Sequence, residues 1–392
     1  MNQYLSQAKA IHDSLVAWRR HLHQNPEVGS ELPNTVKFVK EQLTAMGCTP
    51  IDMAKCGIVV VIEGAHPGKT VLLRSDMDAL PMQETTGLPF ASCNNFGHTC
   101  GHDLHTATLL GTAKLLMENR QQLNGKVVLM FQPDEEGLSG ARSMIDAGLL
   151  TTYKPDAAFA MHVMPGKLQT GKIAYISGPI MGSSDIFRIN ITGFGSHGAS
   201  PHNSVDPINI ACHIHTALQT VNAREINAQD PMILTIGHIQ GGNAPNIIPQ
   251  TAMMEGTIRT FNEEVRAKIK KRLVEIVSGI AATFGGSAEV DFMSGTACMV
   301  NDPTIGDEMI KHAAQVVGEE NIVPLARMMG SEDFAEIALR VPAVLLWIAA
   351  GSPEEGYHYQ GHNPKVTYNE DTLAIAVAVY TQAAIGWLQN NR

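Results

Sequence analysis

The chain has 392 residues, 44% of them hydrophobic and 17% charged, enough to bury a full core and to make two domains rather than one. Its net charge of −10 at pH 7 offers no basic face to phosphates, which excludes a nucleic-acid partner and leaves small-molecule chemistry as the expectation. The six cysteines (Cys48, Cys56, Cys93, Cys100, Cys212, Cys298) have no framework spacing, and no charged-then-apolar leader opens the chain, so the expected place is the cytoplasm, away from membranes.

The first twenty residues carry apolar side chains at helical spacing. Strands are predicted at 57–64 ("GIVVVIEG"), 69–76 ("KTVLLRSD"), 126–132 ("KVVLMFQ") and 156–163 ("DAAFAMHV"), short runs rich in valine, leucine and phenylalanine. Between them a helix is predicted over 103–120, and another over "LSGARSMIDAG", which ends on a glycine. Strands alternating with helices imply an α/β layer fold. From Ser184 the pattern changes to strand 184–193, helix 205–223, strands 231–240 and 251–260, helix 263–285 and strand 287–295. That β-α-β-β-α-β order is a ferredoxin-like α+β unit. The α/β pattern then resumes with strand 343–351, "AVLLWIAAG", too short to span a bilayer, and a helix from Asp371. The expected organisation is one α/β domain made of 1–183 and 296–392, with 184–295 inserted into it.

The chemistry lies where strands end. "TVLLR" runs into "SDMDALP", "VVLMFQ" into "PDEEG", "AAFAMH" stops at His162, and "AVLLWIAAG" leads to "YHYQGHNP". Ligands bind at that edge of an open α/β sheet, so Asp76, Asp78, Glu135, Glu136, His162 and His358 or His362 are expected to share one pocket with "HTCGHDLHT", residues 98–106. Each has an ordinary reading alone: the aspartates as turn residues, His162 as a packed core histidine, the glutamates as a solvated helix start, His98 and His105 as structural. Together they do not, because carboxylates gathered without a cation repel one another. A borderline-soft divalent ion accepts imidazole, thiolate and carboxylate at once. Taking 135–136 as extended, neighbours face opposite ways, so one glutamate can ligate while the other faces water; Glu135 as base and Glu136 as ligand is one allocation, and spacing leaves the reverse open. Two rivals remain: a thiol hydrolase using Cys100 with His102 or His105, and a non-catalytic metal-binding protein.

"RSDMDALP", "HTCGHDLHTA", "FQPDEEG", "MHVMPG", "GSHGASPH", "NIIPQTAMMEGTIRT", "MGSEDF" and "GHNPK" resemble, in order and over nearly the whole chain, the M20 metallopeptidase family. The similar branch holds the hippurate hydrolases and other N-acyl-amino-acid amidohydrolases, with plant auxin-conjugate hydrolases as relatives. The resemblance implies two divalent ions (zinc, manganese, cobalt or nickel) with Cys100, His102, Glu136, His162 and His362 as ligands. It implies Glu135 as general base, Asp78 as its orienter, and the inserted domain as a lid and dimerisation module. It also implies that His197 reaches the partner subunit's active site in a homodimer and donates to the oxyanion there. Asn246 and Arg259 are candidates for holding the substrate's carboxylate, Arg259 through its planar fork. The activity implied is hydrolysis of an N-acyl amino acid such as a hippurate or N-acetyl compound, with deacetylation of an N-acetyl diamino acid, or a dipeptidase, as the alternative. Three departures stand out. Gly97, His98 and Thr99 replace the usual Met-His-Ala, Asp134 stands where alanine is usual and is expected to raise the pKa of Glu135, and two histidines compete near "NPK", which favours His362 over His358.

Overall fold

A computed structural model describes residues 2–391. In chain order the strands are β1 (Ile51–Met53), β2 (Gly57–Glu63), β3 (His66–Asp76), β4 (Asn124–Gln132), β5 (Ala157–Met164), β6 (Ile173–Tyr175), β7 (Gly178–Met181), β8 (Ser184–Thr192), β9 (Ser196–His197), β10 (Met232–Gly241), β11 (Ile247–Ile248), β12 (Thr251–Thr260), β13 (Ser287–Thr296), β14 (Met299–Asn301), β15 (Ile322–Pro324) and β16 (Ala343–Ala349). The α-helices are α1 (Gln3–Ala10), α2 (His12–Gln24), α3 (Pro33–Ala45), α4 (His102–Glu118), α5 (Gly140–Asp146), α6 (Leu149–Tyr153), α7 (Pro207–Thr220), α8 (Glu263–Thr283), α9 (Pro303–Val317), α10 (Ala335–Ala338) and α11 (Asp371–Asn390). Two compact units result. The second comprises Pro179–Met299 with Arg327–Glu332, and the first the remainder.

The first unit is built on an eight-stranded mixed sheet in the order β1-β2-β4-β3-β5-β16-β6-β15. Its centre, β4-β3-β5-β16, is parallel, and these strands are continuous apolar runs because both their faces are buried. The edge strands β1 and β15 are only three residues long and partly exposed, which limits what another chain could pair with. Helices α4 and α11 are apolar nearly all round, as helices inside a core are. α11 is long and apolar enough to cross a membrane by length and composition, and 83% of that stretch is buried against the rest of the protein.

The order β4-β3-β5 places the strand that follows β3 on one side of it and the next on the other, the topological switch at which α/β sheets open a crevice. The crevice is visible in the register. β3 pairs with β5 only as far as Arg74 opposite Ala160, whereas β3 continues to Asp76 against β4 and β5 continues to Met164 against β16. The sheet therefore splits between β3 and β5 at its carboxyl edge. Tyr380 of α11 fills the start of the split: its hydroxyl donates to the Arg74 carbonyl at 2.7 Å and accepts the Met161 N–H at 2.8 Å.

In the second unit, β10-β12-β8-β13 is an antiparallel sheet, and α7 and α8 pack their apolar stripes (Ile210, Ile214, Leu218; Ile269, Leu273, Val277) on its inward residues. Asp206 and Asn262 cap the two helices through their side chains. This is the β-α-β-β-α-β order expected, with a short antiparallel pair of β9 and β11 added.

Several boundaries differ from expectation. α4 starts at His102 because Gly101, at φ +91°, supplies the left-handed turn before it. His162 lies inside β5 and not at its end. α7 stops at Thr220, and a wider turn carries the chain through Val221–Glu225.

Candidate metal centre

The predicted cluster of the first unit is assembled from three loops and strand β5 at the switch edge. Cys100 and His102 sit on either side of Gly101 at the start of α4, Asp78 follows β3, Glu135 and Glu136 follow β4, His162 is on β5, and His362 follows β16. Cys100, His102 and His162 offer donor atoms within 4.8 Å of one another, and Cys100, Glu136 and His362 do the same, so the thiol is common to two groups. His102, Glu135 and Glu136 form a third. Cys100 Sγ is 3.4 Å from His162 Nε2, and His362 Nε2 is 3.4 Å from Glu136 Oε1. His358 is exposed and belongs to none of these groups.

The backbone sets each imidazole. His102 Nδ1 donates to the Asp78 carbonyl at 2.9 Å and His162 Nδ1 to the Val163 carbonyl at 2.8 Å, which leaves each Nε2 lone pair facing the cluster. His102 Nε2 and Glu136 Oε1 are buried without a hydrogen-bond partner. Asp78 holds the glutamates. Its Oδ1 accepts the Glu135 N–H and its Oδ2 the Glu136 N–H, both at 3.1 Å. Glu135 and Glu136 lie in a turn that follows Asp134, at φ +53°, and not in an extended segment, so strand alternation does not separate their directions, and the two carboxylates come to 3.9 and 4.0 Å from His102 Nε2. His362 is also left-handed, at φ +62°, with its N–H given to the Thr99 carbonyl at 2.9 Å. Tyr368 donates to the same carbonyl and ties the two loops together.

Among the protein groups alone the charges are strongly shifted. Burial would raise the Asp76 carboxyl, but Arg74, His102 and His105 hold it well below the usual carboxylate range. Burial likewise opposes Glu136, and His362 and His102 more than compensate, lowering it. Burial holds His162 well below its ordinary value and pushes the Cys100 thiol up, while its neighbours Cys100 and Glu136 push His362 up to about 10. Burial raises the Asp134 carboxyl, which accepts the Ser139 hydroxyl.

Two supporting networks escaped the sequence reading. Asp103 accepts Arg19 Nε at 2.7 Å and His23 Nδ1 at 2.8 Å, anchoring the start of α4 to α2. Asp333 of "MGSEDF" accepts from Arg74, Gln132 and the Ala141 N–H. The partners are far apart in sequence, and only the paired charges hint at them. His98 is fully buried, and burial pushes it down to about 3.

The remaining candidates belong to the second unit. His197 on β9 is exposed, and its Nδ1 accepts the Ala199 N–H at 3.0 Å. Asn246 is exposed beside it, its carbonyl accepting the Gly198 N–H; a Cβ at Gly198 would come within 2.9 Å of that carbonyl, so the close approach needs glycine. Arg259 lies on β12 and donates to the Met329 carbonyl at 3.1 Å.

Comparison with known proteins gives the family. Residues 72–385 match peptidase family M20/M25/M40. The chain is 37% identical to thermostable carboxypeptidase 2 of Saccharolobus solfataricus, over 96% of both chains. It is also 37% identical to the N-acetylcysteine deacetylase of Bacillus subtilis, over 96% of this chain and 97% of that one. Among solved structures, the Bacillus subtilis YXEP protein, a dinuclear metal binding peptidase of the M20 family, superposes with a TM-score of 0.83 at 34% identity, over 97% of this chain and 99% of that one. The chain therefore belongs to peptidase family M20/M25/M40 and is a hydrolase of amide bonds.

Proposed function

We propose that the protein hydrolyses the amide bond of N-acyl amino acids, using two divalent ions held by Cys100, His102, Glu136, His162 and His362. The observation that carries this is the pair of donor groups sharing Cys100, with the Nε2 atoms of His102 and His162 turned toward it by backbone carbonyls. The donor set fits such ions: it offers sulfur, nitrogen and oxygen together, and two of its buried atoms have no other partner. Zinc, manganese, cobalt and nickel all accept it. When bound, such ions polarise the amide carbonyl and acidify water.

The chain's own groups do the rest. Glu135, 6% exposed and held at its N–H by Asp78, takes a proton from the attacking water and returns it to the leaving amine. The carboxypeptidase and the N-acetylcysteine deacetylase each cut an amide whose nitrogen belongs to an amino acid, which supports an N-acyl amino acid as the substrate class. The second unit serves as lid and dimerisation module. His197 accepts at Nδ1, so its proton sits on the exposed Nε2, as a donor to the oxyanion of the partner's site requires. Asn246 and Arg259 hold the substrate carboxylate. A thiol-hydrolase reading has less support, since burial pushes the Cys100 thiol up and not down.

The test is a pair of variants. Glu135→Gln is expected to keep both ions and lose on the order of a hundredfold or more in turnover of N-benzoyl or N-acetyl amino acids. Glu136→Gln is expected to lose an ion. Activity that survives chelation but dies on thiol alkylation would overturn the metal reading.

A further inference from the structure

We infer that Asp76 and His105 form a side-chain bridge across the split in the sheet, and that this bridge positions His162; the inference rests on reading His162 as a metal ligand. Where β3 and β5 stop pairing, the amides of Met161 and Val163 face the gap. Tyr380 takes the first. His105 takes the second: its Nε2 accepts the Val163 N–H at 2.9 Å. Because an N–H donates to Nε2, the ring proton sits on Nδ1, which donates to Asp76 Oδ1 at 2.5 Å. Asp76 is the last residue of β3, its Oδ2 is held by Arg74 Nη1 at 2.6 Å, and its carbonyl accepts the Thr106 hydroxyl. The bridge thus runs from β3 through Asp76 and His105 to β5, replacing a missing ladder bond.

The backbone of Val163 is then held on both sides of its Cα. Its N–H goes to His105, and its carbonyl, in the next peptide group, accepts His162 Nδ1 at 2.8 Å. Holding Val163 in place holds the acceptor that directs the His162 ring. The ring is also stacked on Trp347 at 4.4 Å and meets the edge of His105 at 4.7 Å. Asp76 and His105 stand close enough to His102 to suggest a further ligand group, but both ring nitrogens of His105 and both carboxylate oxygens of Asp76 already have protein partners. They are positioning residues.

The experiment compares His105→Phe, which keeps bulk and loses both hydrogen bonds, with His105→Gln, whose amide can both donate and accept. Metal-stripped protein is titrated with zinc or cobalt against a competing chelator, the cobalt absorption spectrum is recorded, and melting of the stripped chains is followed. The wild type is expected to bind two ions. His105→Phe should bind one as before and the other roughly 10–100-fold more weakly, with an altered cobalt spectrum. His105→Gln should recover most of the loss, and the stripped variants should melt close to wild type. If His105→Phe binds both ions as tightly as wild type, or if the loss follows a fall in stripped-chain melting and Gln does not rescue it, the inference is overturned. A His162→Ala variant that binds ions like wild type would instead remove the ligand reading, and the inference with it.

Discussion

At the scale of single residues, the carboxylate of Asp78 spans two consecutive amides, those of Glu135 and Glu136, while its own carbonyl holds His102. One residue therefore aligns the proposed base and two proposed ligands, the glutamates through its side chain and His102 through its backbone. Asp78→Ala leaves both amides without that acceptor, at about 1–3 kcal/mol for each that stays buried and unpaired. It is expected to cut turnover more than tenfold while circular dichroism stays native; unchanged kinetics would remove Asp78 from the machinery. The thiols give an independent check. Cys93 and Cys212 are exposed, whereas burial pushes Cys48 up to about 11 and Cys298 up to about 12. Alkylation of the native protein should label Cys93 and Cys212 quickly and leave Cys48 and Cys298 unlabelled. Cys100 should react only after the ions are stripped, and equal labelling before and after would count against ligation. The donor types that the structure gathers were legible because cysteine, histidine and glutamate recur after strands in recognisable motifs. The bridge of Asp76 and His105 was not, since nothing local distinguishes a histidine that accepts a backbone amide from one that fills space.

At the scale of elements, the central strands could be read because burial on both faces leaves continuous apolar runs. Strands β1, β6 and β15 could not, because three residues carry no period. The turn at Glu135 was misread as extended because its left-handed residue, Asp134, is not a glycine. Gly101 is the opposite case: at φ +91° it turns the chain between Cys100 and His102, and a Cβ there would lie 2.4 Å from a methyl of Val163. Gly101→Ala adds about 1–2 kcal/mol for the left-handed backbone and about 1–3 kcal/mol for overpacking. A lower melting temperature and loss of bound metal are expected, and a wild-type melt with full metal content would contradict this account. In the second unit, buried Asp185 on β8 accepts Arg266 at 2.6 Å and Lys270 at 2.8 Å from α8. Asp185→Ala leaves the largely buried Arg266 guanidinium with Glu263 as its remaining carboxylate and should cost about 1–3 kcal/mol, read as a shift in the denaturation midpoint.

At the scale of the whole molecule, the homodimer proposal has a direct check. Mixing inactive His197→Ala with inactive Glu135→Gln and allowing subunits to exchange should restore activity, because the His197→Ala chain keeps its base and borrows the partner's His197. A mixture as inactive as its parents, with exchange confirmed, would reject donation between subunits. The change in fold pattern near Ser184 and back near Thr296 was legible, a few residues inside the Pro179–Met299 bounds of the second unit. The short return of Arg327–Glu332 to the second unit was not, since six residues carry no signature of their fold. Ser184 and Thr296 are paired neighbours on β8 and β13, so the chain leaves and rejoins its route at almost one point, with roughly 4.5–5.5 Å between Cα atoms. A two-residue hairpin turn closes such a gap. Deleting residues 185–295 across that junction, with 327–332 left as a loop, should yield a folded core that still takes up metal but no longer turns over substrate. The module is thus spliced in at a seam, and sequence can be gained or lost there without re-threading the sheet that carries the chemistry.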